Sequence, residues 1–392
     1  MKKLVTIFCT SILLLTGCIP SLEKEGEVVQ EDAVDEENKT TGIIPSFSIS
    51  DEYYKTILPF EASPARGMVV SNLNTRVDMD EFETGLMRIA QTKFSTDDYL
   101  FRGGQYISRE LVSSWLKRKL TDAQAQEAGV DPEENIGLNP ALVVSGDNVR
   151  EANEDSPIYL AHIMEQNYLK RIDEETVELG GVVIGLALNS VHYFQTEQYG
   201  TVYQTEIPHE KVVEEGKKIA AEVLTRLRGM EELTEVPITI ALFKQEKRNS
   251  VVPGNFIAYT HVNQGESSIK EWTSINEDYV LFPSNEATEL YREDATTFLN
   301  FQTDVESYFP DFNGIVGKAF YVNEELNSIN IDINIQFNGE AEVIGFTQYV
   351  AGLVMKYFGE ELKVEVNVLS VNGPEALIVK DRKADEPYVY VY

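Results

Sequence analysis

Cysteine is nearly absent from this chain. Its two cysteines, Cys9 and Cys18, both fall within the first 18 residues. A product cut before Cys18 would keep only that one, which leaves no partner for a disulfide, no thiolate metal site and no cysteine nucleophile in the folded part. Histidine is almost as scarce. His162, His192, His209 and His261 lie far apart in sequence, and His209-Glu210 lacks the second histidine of a zinc-protease helix. Each is expected to be a lone surface or capping residue. Positive charge is short: 33 Lys and Arg face 65 Asp and Glu, for a net charge of -32. Such a surface repels nucleic acid and anionic lipid. There is no Gly-x-Ser-x-Gly elbow, no P-loop and no other catalytic constellation. No metal, cofactor or nucleic-acid partner is expected.

What is present begins at the amino terminus. Lys2 and Lys3 precede an apolar run from Leu4 to Leu15, too short for the roughly 20 residues of a spanning helix. A charged start, a short apolar core and small residues make a secretory signal. Leu15-Thr16-Gly17-Cys18 resembles the lipobox of bacterial lipoproteins. That resemblance implies a diacylglycerol on the Cys18 thiol, cleavage before Cys18 and acylation of the new amino terminus, palmitate being the expected acyl group. Two acyl chains give stable anchoring where one does not. From Ile19 to Ser46 the chain is rich in Glu and Asp and has no aromatic residue. It reads as a self-repelling tether that cannot bury enough surface to offset its ordering entropy.

At 43% hydrophobic and 10% aromatic, the remainder can build a sizeable core. Val77 to Phe94 has the period of a helix, and Asp80 with Glu83 matches a capping pattern. Arg102-Gly103-Gly104 reads as a loop. Ser108 can cap a helix whose Leu111, Val112, Trp115 and Leu116 face inward. Ala141 to Val144 is a short strand candidate, and Ile158 to Leu169 reads as a helix. From Gly180 an order of elements appears that recurs about 130 residues later. Val182–Asn189, Thr201–Ile207, a helix carrying Val212 to Leu227, and Val236–Lys244 correspond to Ile315–Val322, Ile329–Phe337, a helix from Val343 to Phe358, and Lys363–Val371. The preceding helices, Ile158–Leu169 and Ala295–Phe309, correspond as well. The expectation is an α+β fold of two related helix–strand–strand–helix–strand units with mostly antiparallel sheets, preceded by a helical N-terminal segment. The expected division is a signal peptide at 1–17, a disordered acidic tether at 18–46, an N-terminal region at 47–156 packing on the first unit, and units at 157–248 and 249–392.

Candidate chemistry is thin. Asp78-Met79-Asp80 and Asp332-Ile333-Asn334 could offer oxygens to a cation, but neither continues as a calcium loop. Asp332 and Asn334 fit better on a strand whose polar face meets water. Among 65 acidic residues, closeness in sequence singles out no catalytic pair. Tyr388-Val389-Tyr390-Val391-Tyr392 alternates like an edge strand.

Taken jointly, Tyr53-Tyr54-Lys55, Ala65-Arg66-Gly67, Asn74-Thr75-Arg76-Val77-Asp78, Arg102-Gly103-Gly104-Gln105 and Gly137-Leu138-Asn139-Pro140, behind a lipobox and an acidic tether, resemble the CamS lipoproteins. These are sex pheromone precursors of Gram-positive Bacillota. The resemblance implies a protein on the outer face of the cell membrane, held by the diacylglycerol on Cys18 and matured by lipoprotein-processing enzymes. It also implies that the signal peptide is trimmed to an apolar fragment, Ser11, Ile12, Leu13, Leu14, Leu15, Thr16 and Gly17, that a peptide receptor could sense during conjugative plasmid transfer. Thr16-Gly17 stand where alanine-like residues are expected. The resemblance leaves the role of the folded domain undefined; from its lack of catalytic motifs, a binding role and no enzymatic one is expected. The alternatives are a cell-envelope hydrolase using paired carboxylates, or a structural or adhesive envelope protein.

Overall fold

The computed structural model describes residues 39–392, apart from 46, 51, 147, 174–175, 309–313 and 337–338. Cys18 and the fragment from Ser11 to Gly17 lie outside the described residues, as does the tether up to residue 38.

The first sheet is centred on a strand that is buried on both faces. β1 (Lys39–Thr41), β2 (Tyr99–Gly103), β3 (Leu160–Arg171) and β4 (Thr176–Asn189) pair antiparallel with one another, with β1 and β3 flanking β4. β5 (Val191–Gln195) and β6 (Val202–Glu206) form a separate hairpin. β7 (Ile238–Gln245) then runs parallel to β4, and β8 (Asn255–Val262) and β9 (Thr273–Ser274) close the sheet. A parallel pair needs a crossover, usually a helix. Of the helices α1 (Val69–Asn72), α2 (Arg76–Ala90), α3 (Arg109–Trp115), α4 (Asp122–Ala128), α5 (Val149–Asp155) and α6 (His209–Arg228), the last lies in that crossover. Val182, Ile184, Leu186 and Leu188 of β4 pack with Val212, Val223 and Leu227 of α6. The alternate residues Val183 and Ala187 pack with Phe82 and Leu86 of α2. At Gly185 a Cβ would sit 2.8 Å from the Phe82 ring, so only glycine lets α2 lie this close.

The second sheet repeats the connectivity. Its strands are β10 (Glu277–Phe282), β11 (Gly314–Val322), β12 (Glu325–Asn334), β13 (Lys363–Ser370), β14 (Gly373–Lys380) and β15 (Tyr388–Val391), in that spatial order. β12 and β13 are its parallel pair. Of α7 (Asn285–Leu290), α8 (Arg292–Glu306) and α9 (Glu340–Tyr357), the last spans that crossover. Ile329, Ile331 and Ile333 alternate into a core with Val364, Val366 and Val368, roofed by Phe298 and Phe301 of α8 and Val350 of α9. Ser328, Asn330 and Asp332 point to the opposite face, which no helix of this half covers. Their partial exposure fits the water-facing strand expected there.

The α+β class is as expected, and the repeated unit is a strand order rather than the expected one. Leu160–Arg171 is a strand, not a helix. Its apolar residues fall at helical spacing because both faces are buried and because bulges at 160/162 and 168/169 break the alternation. The element matching Ile315–Val322 is therefore β3, and β4 matches β12. Val202–Glu206, expected to pair within the first unit, sits in the side hairpin. The Ala141–Val144 candidate is not a strand, and Arg102 and Gly103 end β2 rather than forming a loop. Residues 39–41, expected to belong to the disordered tether, pair with β4. The boundary expected at residue 248 falls inside the first sheet; the sheets part between Ser274 and Glu277. The helix expected from Val77 is capped by Thr75, whose hydroxyl accepts from Asp78 N, and not by Asp80. Ser108 caps α3 as expected.

α2 also joins the two halves. Arg88 Nη2 reaches Glu81 Oε1 at 2.6 Å and Glu277 Oε2 at 2.9 Å, while its Nε donates to Glu277 Oε1. The Tyr279 hydroxyl donates to Glu81 Oε2 at 2.6 Å. The guanidinium lies over the Phe320 ring, which stacks on Tyr279. All four carboxylate oxygens are thus occupied. Replacing Arg88 with Met should leave two largely buried carboxylates without a cation and destabilise the chain by about 2–3 kcal/mol in urea unfolding. Adding Glu81→Gln and Glu277→Gln to that variant should recover part of the loss.

Candidate functional site

Several motifs of the sequence meet where β2 ends. Past Gly103 the chain leaves β3, with Gly104 N donating to Glu165 O at 3.1 Å. A Cβ on Gly104 would stand 2.5 Å from that of Glu165. The Glu165 carboxylate then accepts from the backbone N–H groups of Gln105 (3.0 Å), Tyr106 (3.0 Å) and Ile107 (2.7 Å). Burial raises the carboxyl above its ordinary value, and those N–H groups pull against it. Glu165 is therefore committed to holding the turn that leads into α3.

Asn139, fully buried, does the same work at the start of β3. It accepts from Leu160 N at 2.8 Å and donates to Leu160 O and Leu116 O at 3.0 and 2.9 Å. Asp78, also fully buried, accepts from Gly254 N, Glu246 N and the Thr75 hydroxyl. This arrangement spends the aspartate considered above as a cation ligand on backbone groups. Among the described residues no group of three or more His, Cys, Asp or Glu is placed to hold a metal.

Between Asn139 and Gly104 the amino-terminal half of β3 has β4 on one side and no strand of β2 on the other. A cavity of about 450 Å³ opens there. Ile163 and Met164 form its floor, Phe101, Ile107 and Val112 a wall, and the segment from Phe60 to Val69 its cover. Arg109 Nη2 pins that cover by donating to Arg66 O at 2.6 Å. Three polar side chains line it that are not committed to the backbone: Arg66, Glu83 and His162. His162 is 3% exposed, and its Nδ1 accepts from Asn72 Nδ2 at 3.0 Å. Burial lowers its pKa to about 4, so the ring is neutral with its proton on Nε2. His162 and His192 are buried, contrary to the surface placement expected. Burial also lowers the His192 pKa to about 4, with Arg118 adding to the effect.

A second cavity, about 370 Å³, lies between α2 and the open face of the second sheet. Asp80, Thr84, Lys318, Asn330, Lys363 and Glu365 line it. Val77, Pro253, Phe320 and Ile329 line it too, so charged and apolar side chains share it. The facing carboxylates at its end, Glu81 and Glu277, are joined through Arg88. Such a pair serves as a strut and not as an acid and a base.

Two mixed sheets, each built around one parallel pair and tied through α2, define the fold, and known proteins place the chain in a family. The family model of the CamS sex pheromone cAM373 precursor matches residues 60–386, and the chain belongs to that family. The solved sex pheromone precursor of Lactobacillus salivarius is 31% identical with a TM-score of 0.78, over 90% of this chain and 99% of that one. The C-terminal domain of the staph-cAM373 precursor from Staphylococcus aureus is 30% identical with a TM-score of 0.71, over 82% of this chain and 98% of that one. No curated protein matches the chain.

Asn139 lay within a motif singled out in the sequence, and its role needed the fold to show it. Glu165 gave no signal, because it looked like the exposed face of a helix. Replacing Asn139 with Ala removes three hydrogen bonds and leaves the Leu160 groups buried and unpaired, which should cost about 3 kcal/mol or more in urea unfolding. A second expectation concerns pH. Unfolded histidine takes up its proton near 6.5, whereas His162 does so only near 4. Between those values the unfolded state binds more protons, so stability falls as pH drops from about 6.5 to 4 and levels off below. His162→Gln should make the pH dependence of the urea midpoint shallower in that window than in wild type.

Proposed function

We propose that this protein is a lipid-anchored precursor on the outer face of the cell membrane, whose signal peptide yields a short apolar peptide. Membership of the CamS family supports the precursor role, and the single observation that carries the anchor is Leu15-Thr16-Gly17-Cys18 behind a short apolar run. No helix among the described residues is long and apolar enough to cross a membrane; in this reading the diacylglycerol on Cys18 provides the attachment. The fragment Ser11 to Gly17 is uncharged and apolar, which suits partition into a membrane and entry into an apolar receptor groove. The acidic segment behind Cys18 holds the folded part away from an anionic surface. In this reading the folded part is a binding domain without catalysis. That Glu81 and Glu277 are tied up by Arg88 counts against a hydrolase built on them.

The test is a mass spectrum of the protein from membranes of its host, beside a Cys18→Ala variant. A diacylglycerol-sized increment on Cys18 is expected, with release of the variant into the medium. An unmodified Cys18 on the wild-type protein would sink the anchoring reading. Synthetic Ser-Ile-Leu-Leu-Leu-Thr-Gly added to plasmid-bearing recipients tests the signalling half separately.

A further inference from the structure

The cavity beside β3 combines features that specify a ligand. Its walls are apolar: Phe60, Val69, Phe101, Ile107, Val112 and Met164. Its volume, about 450 Å³, lies in the range of small-ligand sites. Arg66 and Glu83, both exposed, bring one positive and one negative charge to the same cavity. Neither side chain is ion-paired or hydrogen-bonded to another described side chain; the Arg66 guanidinium only lies over the Phe60 ring at 5.5 Å. An exposed guanidinium without a carboxylate partner can receive an anionic group. The third feature is His162. Its ring is nearly buried and lines the cavity, and with Nδ1 engaged by Asn72 its Nε2–H has no acceptor among the described residues. That nitrogen is not among the fully buried polar atoms left without a partner, so its N–H is accessible to a ligand acceptor or water in the cavity that His162 lines.

We propose that this cavity binds a short apolar peptide with both termini free. Its carboxylate meets Arg66, its ammonium meets Glu83, its side chains fill the apolar interior, and a backbone carbonyl accepts from His162 Nε2. A fatty acid would leave Glu83 unanswered, and a large polar solute would strand the apolar walls. The charge pair therefore selects a zwitterion, and the walls select apolar side chains. This goes beyond the precursor reading, and it stands whether or not Cys18 carries lipid. Two sources share the chemistry: short peptides released around the cell, and the chain's own apolar signal fragment.

The test is calorimetric titration of the full chain in detergent with Leu-Leu-Leu, its N-acetyl form, its C-terminal amide, and Ser-Ile-Leu-Leu-Leu-Thr-Gly. Leu-Leu-Leu should bind, and each cap should weaken it about tenfold, the worth of one lost charge-assisted contact. Arg66→Gln should weaken the free tripeptide by a similar factor and leave the amide unchanged. Glu83→Gln should weaken the free tripeptide and leave the N-acetyl form unchanged. Both residues are exposed, so the variants should fold as wild type does. Failure of Leu-Leu-Leu to bind would overturn the proposal, as would binding indifferent to the caps and to both substitutions. Binding of Ser-Ile-Leu-Leu-Leu-Thr-Gly as tight as that of Leu-Leu-Leu would assign the signal fragment as a source. Binding of Leu-Leu-Leu alone would assign short peptides from the surroundings. Neither result bears on the lipid at Cys18.

Discussion

A parallel pair of strands cannot be closed by a tight turn, and that constraint organises both halves of this chain. β4 and β7 need α6 between them, as β12 and β13 need α9. Once a helix of 18 or 20 residues is placed there, the face of the sheet beneath it becomes the core. The antiparallel strands on either side then add outward by short connections. The same spatial order arises twice, β2-β3-β4-β7-β8-β9 and β10-β11-β12-β13-β14-β15. The halves differ in what covers the second face. In the first, α2 lies on it and buries Val183, Ala187 and Ala241. In the second, the corresponding face carries Ser328, Asn330, Asp332, Glu365 and Asn367 and stays open to water away from α2. An antiparallel-flanked sheet tolerates this, because its strands can alternate apolar and polar.

Connections longer than a hairpin must then be pinned, and this sequence pins them with buried polar side chains aimed at backbone groups. Asp78, Asn139 and Glu165 each satisfy two or more backbone N–H or C=O groups in segments that have no ladder of their own. Arg228 is a fourth case, donating to the carbonyls of Leu233, Val236, Asn263 and Glu266. An irregular segment can be buried only if its polar groups find partners. These residues look like catalytic or cation-binding candidates when read one at a time. In the fold each is spent on its own scaffold.

The legible parts of the sequence were those with one buried face. α6, α9 and the alternating strands β12 and β13 each present an apolar stripe of the right period, and their type could be read from it. β3 could not. It is apolar toward α6 at Ile163 and Leu169, apolar or polar toward α2 at His162, Met164, Gln166 and Tyr168, and bulged at both ends. Two overlaid faces of period two, shifted by bulges, imitate a period near 3.6. That one misreading displaced the repeat by a strand and hid Glu165 and His162 on the supposed face of a helix. Ala65-Arg66-Gly67 and Arg102-Gly103-Gly104 were visible as motifs. That they border one cavity depends on β2 and the cover segment meeting at the edge of β3, a contact between residues about 40 and 60 positions apart that no local pattern encodes.

Comparing the two halves shows how the cavity arises. In the second half β10 runs along β11 from Gly317 to Val322, which covers most of that strand. In the first, β2 covers β3 only from Gln166 to Lys170 and then turns away at Gly104. The turn is imposed by Glu165, whose carboxylate draws three successive N–H groups off the ladder. An edge strand left bare invites pairing with another chain unless it is covered. Here the cover is the segment from Phe60 to Val69, which stands off far enough to leave space beneath it. The same unit therefore closes its edge in one copy and opens it in the other. The residues that open it, Gly104 and Glu165, are separate from those that give the space its charge and its free donor, Arg66, Glu83 and His162. Gly104 and Glu165 border the space as well as shape it, so it is the charges at the exposed Arg66 and Glu83 that can change without disturbing the turn, which lets one copy of a repeated fold vary its charges while the other keeps only its packing.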